Sequence, residues 1–340
     1  VIARLDRRLF LGAGAGLLLT GCSGASAGDA PATPVTSSAP VAESSWVTPR
    51  ELPAGWGSGR DDGVFPRTVV HAAGSTTVPA RPTRVVVIST GQMDAALTLG
   101  VVPVGATAGD GAGRVPGYLR DRFPADAAAL DAVADLGTRT EPNLEAVAAL
   151  APDLVLVNAS AKDGDVLAAL QAIAPTVVTQ GTGLRWKQDL LLLADGLGLR
   201  QRAQSWLDEQ HERAAALAPD PSPTVSFLRR NGDRVRVFGV ASFSGSVAED
   251  AGLARPPAQS FTDDTSRDLS AEQLDLADAD HLLFGVQGGD AAELTSLPTW
   301  GDLGAVRAGR AVQVDDDAFF LNTGPTAARI VLEELERVVG

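Results

Sequence analysis

The sequence predicts an α/β protein of two similar lobes with mainly parallel sheets, joined by one long rigid helix, with a ligand cleft between the lobes. Three observations carry that expectation. Short apolar runs such as residues 85–88 alternate with helical stretches, as in strand–helix–strand units whose strands are covered on both faces. The order of elements within residues 84–157 returns within 235–284, where 271–284 lines up with 144–157 without a gap and Gly252 stands where Gly100 stood. Between the halves lies the stretch 199–218, LRQRAQSWLDEQHERAAALA. Its Leu199, Ala203, Trp206, Leu207, Ala214 and Leu217 make a one-faced apolar stripe, and Pro219, Pro221 and Pro223 forbid its continuation. At about 1.5 Å per residue that helix spans roughly 30 Å, the width of a small domain.

At the N-terminus, Arg4, Arg7 and Arg8 precede an apolar run from Leu9 to Leu19, too short to cross a bilayer as a mature helix, and small residues precede Cys22. Residues 6–11, DRRLFL, resemble the twin-arginine export motif, and residues 19–22, LTGC, resemble the lipobox of bacterial lipoproteins. Residues 1–21 are therefore expected to be an export signal and Cys22 the lipidated residue, with two or more acyl chains giving stable anchoring. Residues 22–63 are rich in Ser, Ala, Pro, Thr and Gly and read as a flexible tether, with Trp46 and Trp56 as its apolar exceptions.

The N-terminal lobe is expected over 64–198, the connecting helix over 199–218 and the C-terminal lobe over 219–340. In the first lobe, a strand at 85–88 leads to a helix closing at Gly100 and a strand at 101–104. A helix from 143 stops before Pro152 and feeds a strand at 154–157. A strand at 176–179 leads through Gly181 and Gly183 to a helix starting near Trp186. In the second lobe, 235–256 reads as strand, loop and helix, 271–284 as helix then strand, and 311–314 as a last strand. A final helix holds Pro325 in its first turn and runs to Val339.

Composition excludes several function classes. The 340 residues, 45% hydrophobic, suffice for a sizeable core, and the formal net charge of −14 argues against a nucleic-acid partner, which needs a basic face. A single cysteine permits no intramolecular disulfide and no Cys-based metal cage. There is no G-x-S-x-G elbow and no H-E-x-x-H, and His71, His211 and His281 lie in separate segments, so an enzyme is not expected.

In open α/β sheets ligands bind beyond the carboxyl ends of the strands. The loops that qualify are 89–93, 158–162, 180–186, 240–244, 285–288 and 315–323. They supply Trp186, Phe243, Phe319 and Phe320 as apolar contacts, and Arg185, Lys187, Gln92, Gln287 and Asn322 as polar ones, the mixture that small-molecule sites use. Residues 109–113 read as a mobile glycine loop, and Asp315, Asp316 and Asp317 as a solvated turn.

Residues 84–105, NLE at 143–145 through PDLVL at 152–156, AVRAGR at 305–310 through Asp317, and Gly324-Pro325 together resemble the ferric-siderophore and vitamin B12 substrate-binding proteins of ABC importers. The resemblance covers about residues 64–340. It implies a monomer, lipid-anchored on the extracytoplasmic face of the cell membrane, that captures a ferric siderophore and delivers it to permease subunits, with little hinge motion about the rigid helix. No cofactor is implied, because Fe(III) arrives held by the siderophore. The ligand contacts expected are Gln92, Arg185, Trp186, Phe243, Gln287, Phe319 and Phe320. The family docks on its permease through one carboxylate per lobe. Glu145 matches the first; the second position holds Ser246, with Glu249 and Asp250 the nearest acids, and Glu249 is taken as the contact. Haem, with Tyr118 or His281 as axial ligand, and cobalamin are alternatives within the family; a cell-envelope hydrolase or a non-transport interaction lipoprotein are alternatives outside it.

Overall fold

The structure, a computed structural model, describes residues 50–340 apart from 89, 110, 159–163 and 182. The export segment 1–21, Cys22, Trp46 and most of the expected tether lie outside the described residues. An antiparallel hairpin, β1 (Arg67–His71) and β2 (Gly74–Val78), leads into the first sheet. That sheet holds β3 (Val85–Ile88), β4 (Gly105–Ala108), β5 (Ala134–Thr138), β6 (Leu154–Asn158) and β7 (Thr176–Thr179) in the order β5-β4-β3-β6-β7, with every pair parallel. The second sheet holds β8 (Val225–Asn231), β9 (Arg234–Phe238), β10 (Ser266–Leu269), β11 (His281–Val286) and β12 (Ala311–Gln313) in the order β10-β9-β8-β11-β12.

The two sheets therefore arrange their strands in the same spatial order, but the second is mixed rather than mainly parallel. Its β8–β11 and β11–β12 pairs are parallel, whereas β8–β9 and β9–β10 are antiparallel. The cause is local. Asn231 pairs with Arg234, and Gly232, at φ +56°, opens a two-residue turn that only an antiparallel pair can use. β8 precedes residue 235, where the second repeat is expected to begin, and its signal in the sequence is Asn231-Gly232 between two strand-like runs. In the first lobe the strand expected at 101–104 begins instead at Gly105, because the Val101 amide is still held by Ala96 O of the preceding helix, 2.8 Å away.

The pleat sorts the strand residues onto two faces. Val85 and Val87 of β3, Val225 and Phe227 of β8 and Leu283 of β11 belong to one continuous hydrophobic core. Helices fill the space between the sheets: Trp186–Leu197, the connecting helix Arg200–Leu217, Phe243–Asp250 and the C-terminal helix Pro325–Val339. They contribute Leu190, Leu207, Val247 and Leu332 to that same core. Val86 and Ile88 on the far face of β3, and Leu228 and Val237 on the far face of the second sheet, each face a separate smaller cluster. The connecting helix buries Ala203, Leu207 and Ala214 of its apolar stripe, together with Gln210 and His211.

Buried polar contacts fix how these helices meet. The Asp94 carboxylate, on the helix Gln92–Thr98, accepts from the Thr326 and Ala327 amides at 2.7 and 2.9 Å and from Tyr118 OH at 2.9 Å. It thereby caps the C-terminal helix, whose N-terminal amides are otherwise unpaired. Burial holds this carboxyl above the usual range, against those hydrogen bonds. Lys187 Nζ, fully buried on the first lobe's last helix, reaches Asp250 Oδ1 at 2.8 Å on the second lobe's first helix, with His211 Nε2 of the connecting helix 3.6 Å from the same carboxylate.

Residues 51–63, expected to belong to the tether, instead strap the connecting-helix junction. Ser58 donates its amide and hydroxyl to Asp195 at 2.5 and 2.7 Å, Gln201 N donates to Asp62 at 3.1 Å, and Gln188 Nε2 donates to Glu51 O at 2.7 Å. Trp56 packs against the central core. The reason is Asp195 itself. Its carboxylate and Arg67 form an ion pair at 3.1 Å with both side chains fully buried, and such a charge must be saturated with donors. Removing one partner leaves the other charge buried and unpaired, so Arg67→Met is expected to cost about 3–5 kcal/mol. Chemical denaturation of the full chain measures this, and Arg67→Met/Asp195→Leu should recover part of the loss.

Candidate functional site

The carboxyl ends of the parallel strands of both sheets face one seam, where loops from the two lobes meet; β9 alone runs the other way. A cavity of about 110 Å³ is walled there by Phe238, Phe243, Phe319 and Phe320 of the second lobe, with Gly183 of the first lobe and Thr323 closing it. Beside it a wider opening of about 510 Å³ is bounded by Arg229, Asn231, Gln287 and Leu321, with Gly111 from the first lobe opposite. Beneath them a space of about 10 Å³, room for a single water, lies among Gln92, Asn158, Trp186 and Asp189.

The aromatic wall is built by two local devices. After β12, Asp315 Oδ1 accepts from the Ala318 amide at 2.8 Å and starts the helical turn Asp317–Leu321, which presents Phe319 and Phe320 together. Their ring centroids are 6.2 Å apart, and Phe320 lies 4.9 Å from Phe238. Phe243 opens its helix next to Ser242, whose Oγ caps the helix by accepting from Gly245 N at 3.0 Å. Phe320 is the partly exposed member of the set; Phe243 and Phe319 are buried and line the cavity from behind.

The predicted contacts divide accordingly. Phe243, Gln287, Phe319 and Phe320 are gathered at the cavity and opening. Gln287 faces Gly111 so closely that a Cβ there would stand 2.1 Å from its Nε2, so Gly111 packs against the mouth. Arg185 is half-exposed and lines none of these spaces, its Nη1 donating to Gln188 Oε1 at 3.3 Å. Trp186 is not a ligand-facing wall. Only 1% exposed, it donates Nε1–H to Ser246 Oγ at 3.2 Å and meets Phe243 and Trp206 edge-on at 5.8 and 6.2 Å, which makes it packing for the seam. Gln92, 2% exposed, is likewise below the cavity and donates to Thr179 Oγ1 at 3.1 Å. Lys187 is consumed by Asp250, and the buried Asn322 donates to Asp317 O at 3.3 Å.

The three acids after β12 are not a plain solvated turn. Asp316 receives a bidentate grip from Arg229, at 2.7 and 2.6 Å, and Asp315 starts the aromatic turn. Burial, with Asp315 and Asp316 alongside, pushes Asp317 up to about 6. On the first-lobe side Asp189 accepts from Gln180 N and Gly181 N, each at 2.8 Å, and burial still pushes it up to about 6. Arg229 is absent from the expected contacts because β8 is not expected there, and Phe238, on the strand expected from 235, gains its inner-face position only from the hairpin register with β8.

The axial-ligand expectations fail on geometry. Tyr118 is buried with its hydroxyl committed to Asp94. His281 begins β11, at the end of the strand opposite the 285–288 loop. Of the docking acids, Glu145 is exposed in the first turn of its helix behind the Asn143 cap, and Glu249 is half-buried on the second lobe. Ser246 is interior, holding Trp186, so no docking side chain can stand there.

Residues 85–318 match the periplasmic binding protein family. A probable siderophore-binding lipoprotein, YfiY of Bacillus subtilis (strain 168), is 31% identical over 292 residues, 79% of this chain and 86% of its own. The Fe(3+)-citrate-binding protein YfmC of the same organism is 25% identical over 292 residues, 82% of this chain and 89% of its own. The solved structure of Staphylococcus aureus SirA complexed with staphyloferrin B matches with a TM-score of 0.68 at 26% identity, over 79% of this chain and 97% of that one. The chain therefore belongs to the periplasmic binding protein family, among the ferric-siderophore substrate-binding proteins of ABC importers that its sequence resembles.

Proposed function

We propose that this protein captures a ferric siderophore in the seam between its lobes and delivers it to the permease of an ABC importer for iron uptake. The observation that carries the reading is the site itself. An aromatic cavity and a guanidinium-bearing opening adjoin in the seam between the lobes, with Gly111 and Gly183 of one lobe against Gln287 and Phe243 of the other. A metal chelate offers the matching surfaces, an apolar scaffold and polar oxygens around the iron. Relatives named for siderophore and ferric-citrate binding support the same class of cargo.

The iron enters and leaves inside its chelate, with the protein gripping the chelator. Because both lobes share one core, binding proceeds with small hinge motion, and the protein acts as a monomer. Glu145 on the first lobe and Glu249 on the second are the proposed contacts to the permease, and Cys22 the lipid anchor on the extracytoplasmic face of the membrane.

Isothermal titration with ferric and iron-free siderophores tests the reading directly. A ferric form is expected to bind with a dissociation constant below about 1 μM, and its iron-free form far more weakly. Phe320→Ala should weaken that binding at least tenfold, about 1.4 kcal/mol, at unchanged thermal stability. Trp186→Ala should instead lower stability by about 3–5 kcal/mol, the cost of emptying a buried tryptophan site. Cys22→Ser is expected to move the protein from the membrane fraction to the soluble fraction on cell fractionation; unchanged membrane association sinks the anchor.

A further inference from the structure

Behind the aromatic wall lies a buried arginine that lines neither the cavity nor the wider opening. The β8–β9 ladder runs from the Asn231–Arg234 pair to the Leu228–Val237 pair and stops there. Buried carbonyls beyond that point still need donors. Arg255 supplies them, Nη1 donating to Val225 O of β8 and Nη2 to Phe238 O of β9. The local sequence, Arg255-Pro256-Pro257-Ala258-Gln259, explains its aim. The prolines open a short helical turn that sets Gln259 beside the guanidinium, and Nη2 donates to Gln259 Oε1 at 3.0 Å. Gln259, fully buried, is fixed in turn by donating to Ser226 Oγ at 2.7 Å and to Leu276 O at 3.1 Å.

The same guanidinium meets the wall along two routes. Through Phe238 O it holds the backbone of a residue whose ring lines the cavity and lies 4.9 Å from Phe320. Its carbon also stands 4.6 Å over the ring of Phe227, which lies 6.4 Å from Phe319. Both aromatic pairs therefore lead back to Arg255. The strand end it holds has no slack on its other side, since a Cβ at Gly239 would stand 2.5 Å from Phe261. Burial opposes the charge, pulling the guanidinium down to about 9 while Glu249 acts the other way. An apolar side chain would avoid that burial but leave Val225 O and Phe238 O without these donors.

We infer that Arg255 is a positioning residue for the cleft: it closes the open end of the β8–β9 hairpin and thereby sets where Phe238 and Phe319 meet a ligand. It acts on the cargo only through those rings. This rests on the siderophore reading above and adds the residue that holds the wall of that site in place.

The test is a double-mutant cycle read in ligand affinity. The detergent-solubilised full chain is titrated with ferric citrate, a ferric trihydroxamate and a ferric tris-catecholate, and the chelate that wild type binds most tightly is carried forward. The variants are Phe238→Ala, Arg255→Met, Arg255→Lys and each arginine change combined with Phe238→Ala, all at a temperature where circular dichroism shows them folded. Phe238→Ala and Arg255→Met should each weaken binding about tenfold or more, with Arg255→Lys, which keeps a charged donor, recovering part of the loss. Added to Phe238→Ala, either arginine change should weaken binding by less than about threefold further, because the ring held by Arg255 is already gone. Arg255→Lys carries the cycle alone if Arg255→Met does not fold. An arginine that only stabilises the fold loses the same factor in both backgrounds. That result, an unchanged affinity in the arginine variants, or failure of Arg255→Lys to fold each overturns the proposal while leaving the siderophore reading in place. Failure of wild type to bind any of the three chelates removes the siderophore reading, and this proposal with it.

Discussion

One hydrophobic core runs beneath both sheets, and the rest of the structure depends on it. In a protein of two independent lobes each sheet would close its own core and the pair would meet across a polar interface. Here Val85 and Val87 of the first sheet and Phe227 and Leu283 of the second face the same interior, filled by helices from both halves. Separating the lobes would expose that interior, at about 25 cal/mol for every Å² of apolar surface returned to water. The lobes are thus held by the same force that folds them, and the cleft is a groove in one body.

Hydrophobic packing is non-directional, so it fixes proximity without fixing register. The buried polar contacts supply the register. Lys187 ties the first lobe's last helix to Asp250 on the second lobe's first helix, Asp94 caps the C-terminal helix, and Trp186 donates across to Ser246. Such pairs are seldom more stabilising than well-packed hydrocarbon, but each is expensive to misplace, which selects one arrangement among many apolar ones. A ligand entering a groove so fixed does not have to order its walls, and its binding energy goes into contacts. The aromatic turn after β12 follows the same logic, since Asp315 and Asp316 are both engaged in holding it.

Much of this was legible in the sequence. The alternation of apolar runs and helices gave β3, β6 and β7 almost to the residue, the stripe and the prolines gave the connecting helix, and Pro325 marked the start of the last helix. What the sequence hid was decided by chirality and by long-range charge. Gly232 turned an expected parallel strand into a hairpin, and with β8 unread, Arg229 had no sheet to stand on. Trp186 read as a cleft residue because it follows a cleft loop; its partners Phe243, Trp206 and Ser246 come from 20 to 60 residues away, and no local pattern shows them. The strap at 51–63 reads as a tether by composition, and only the buried Asp195 across the chain makes it part of the fold.

The most direct measurement is a crystal structure of the protein with a bound ferric chelate, with the iron located by its anomalous diffraction. The expected iron position is in the seam, with the chelate against Phe320 and within hydrogen-bond reach of Arg229 or Gln287, and with the lobes superposing closely on the unliganded form. Iron found outside the seam, or reached only by parting the shared core, would contradict the account.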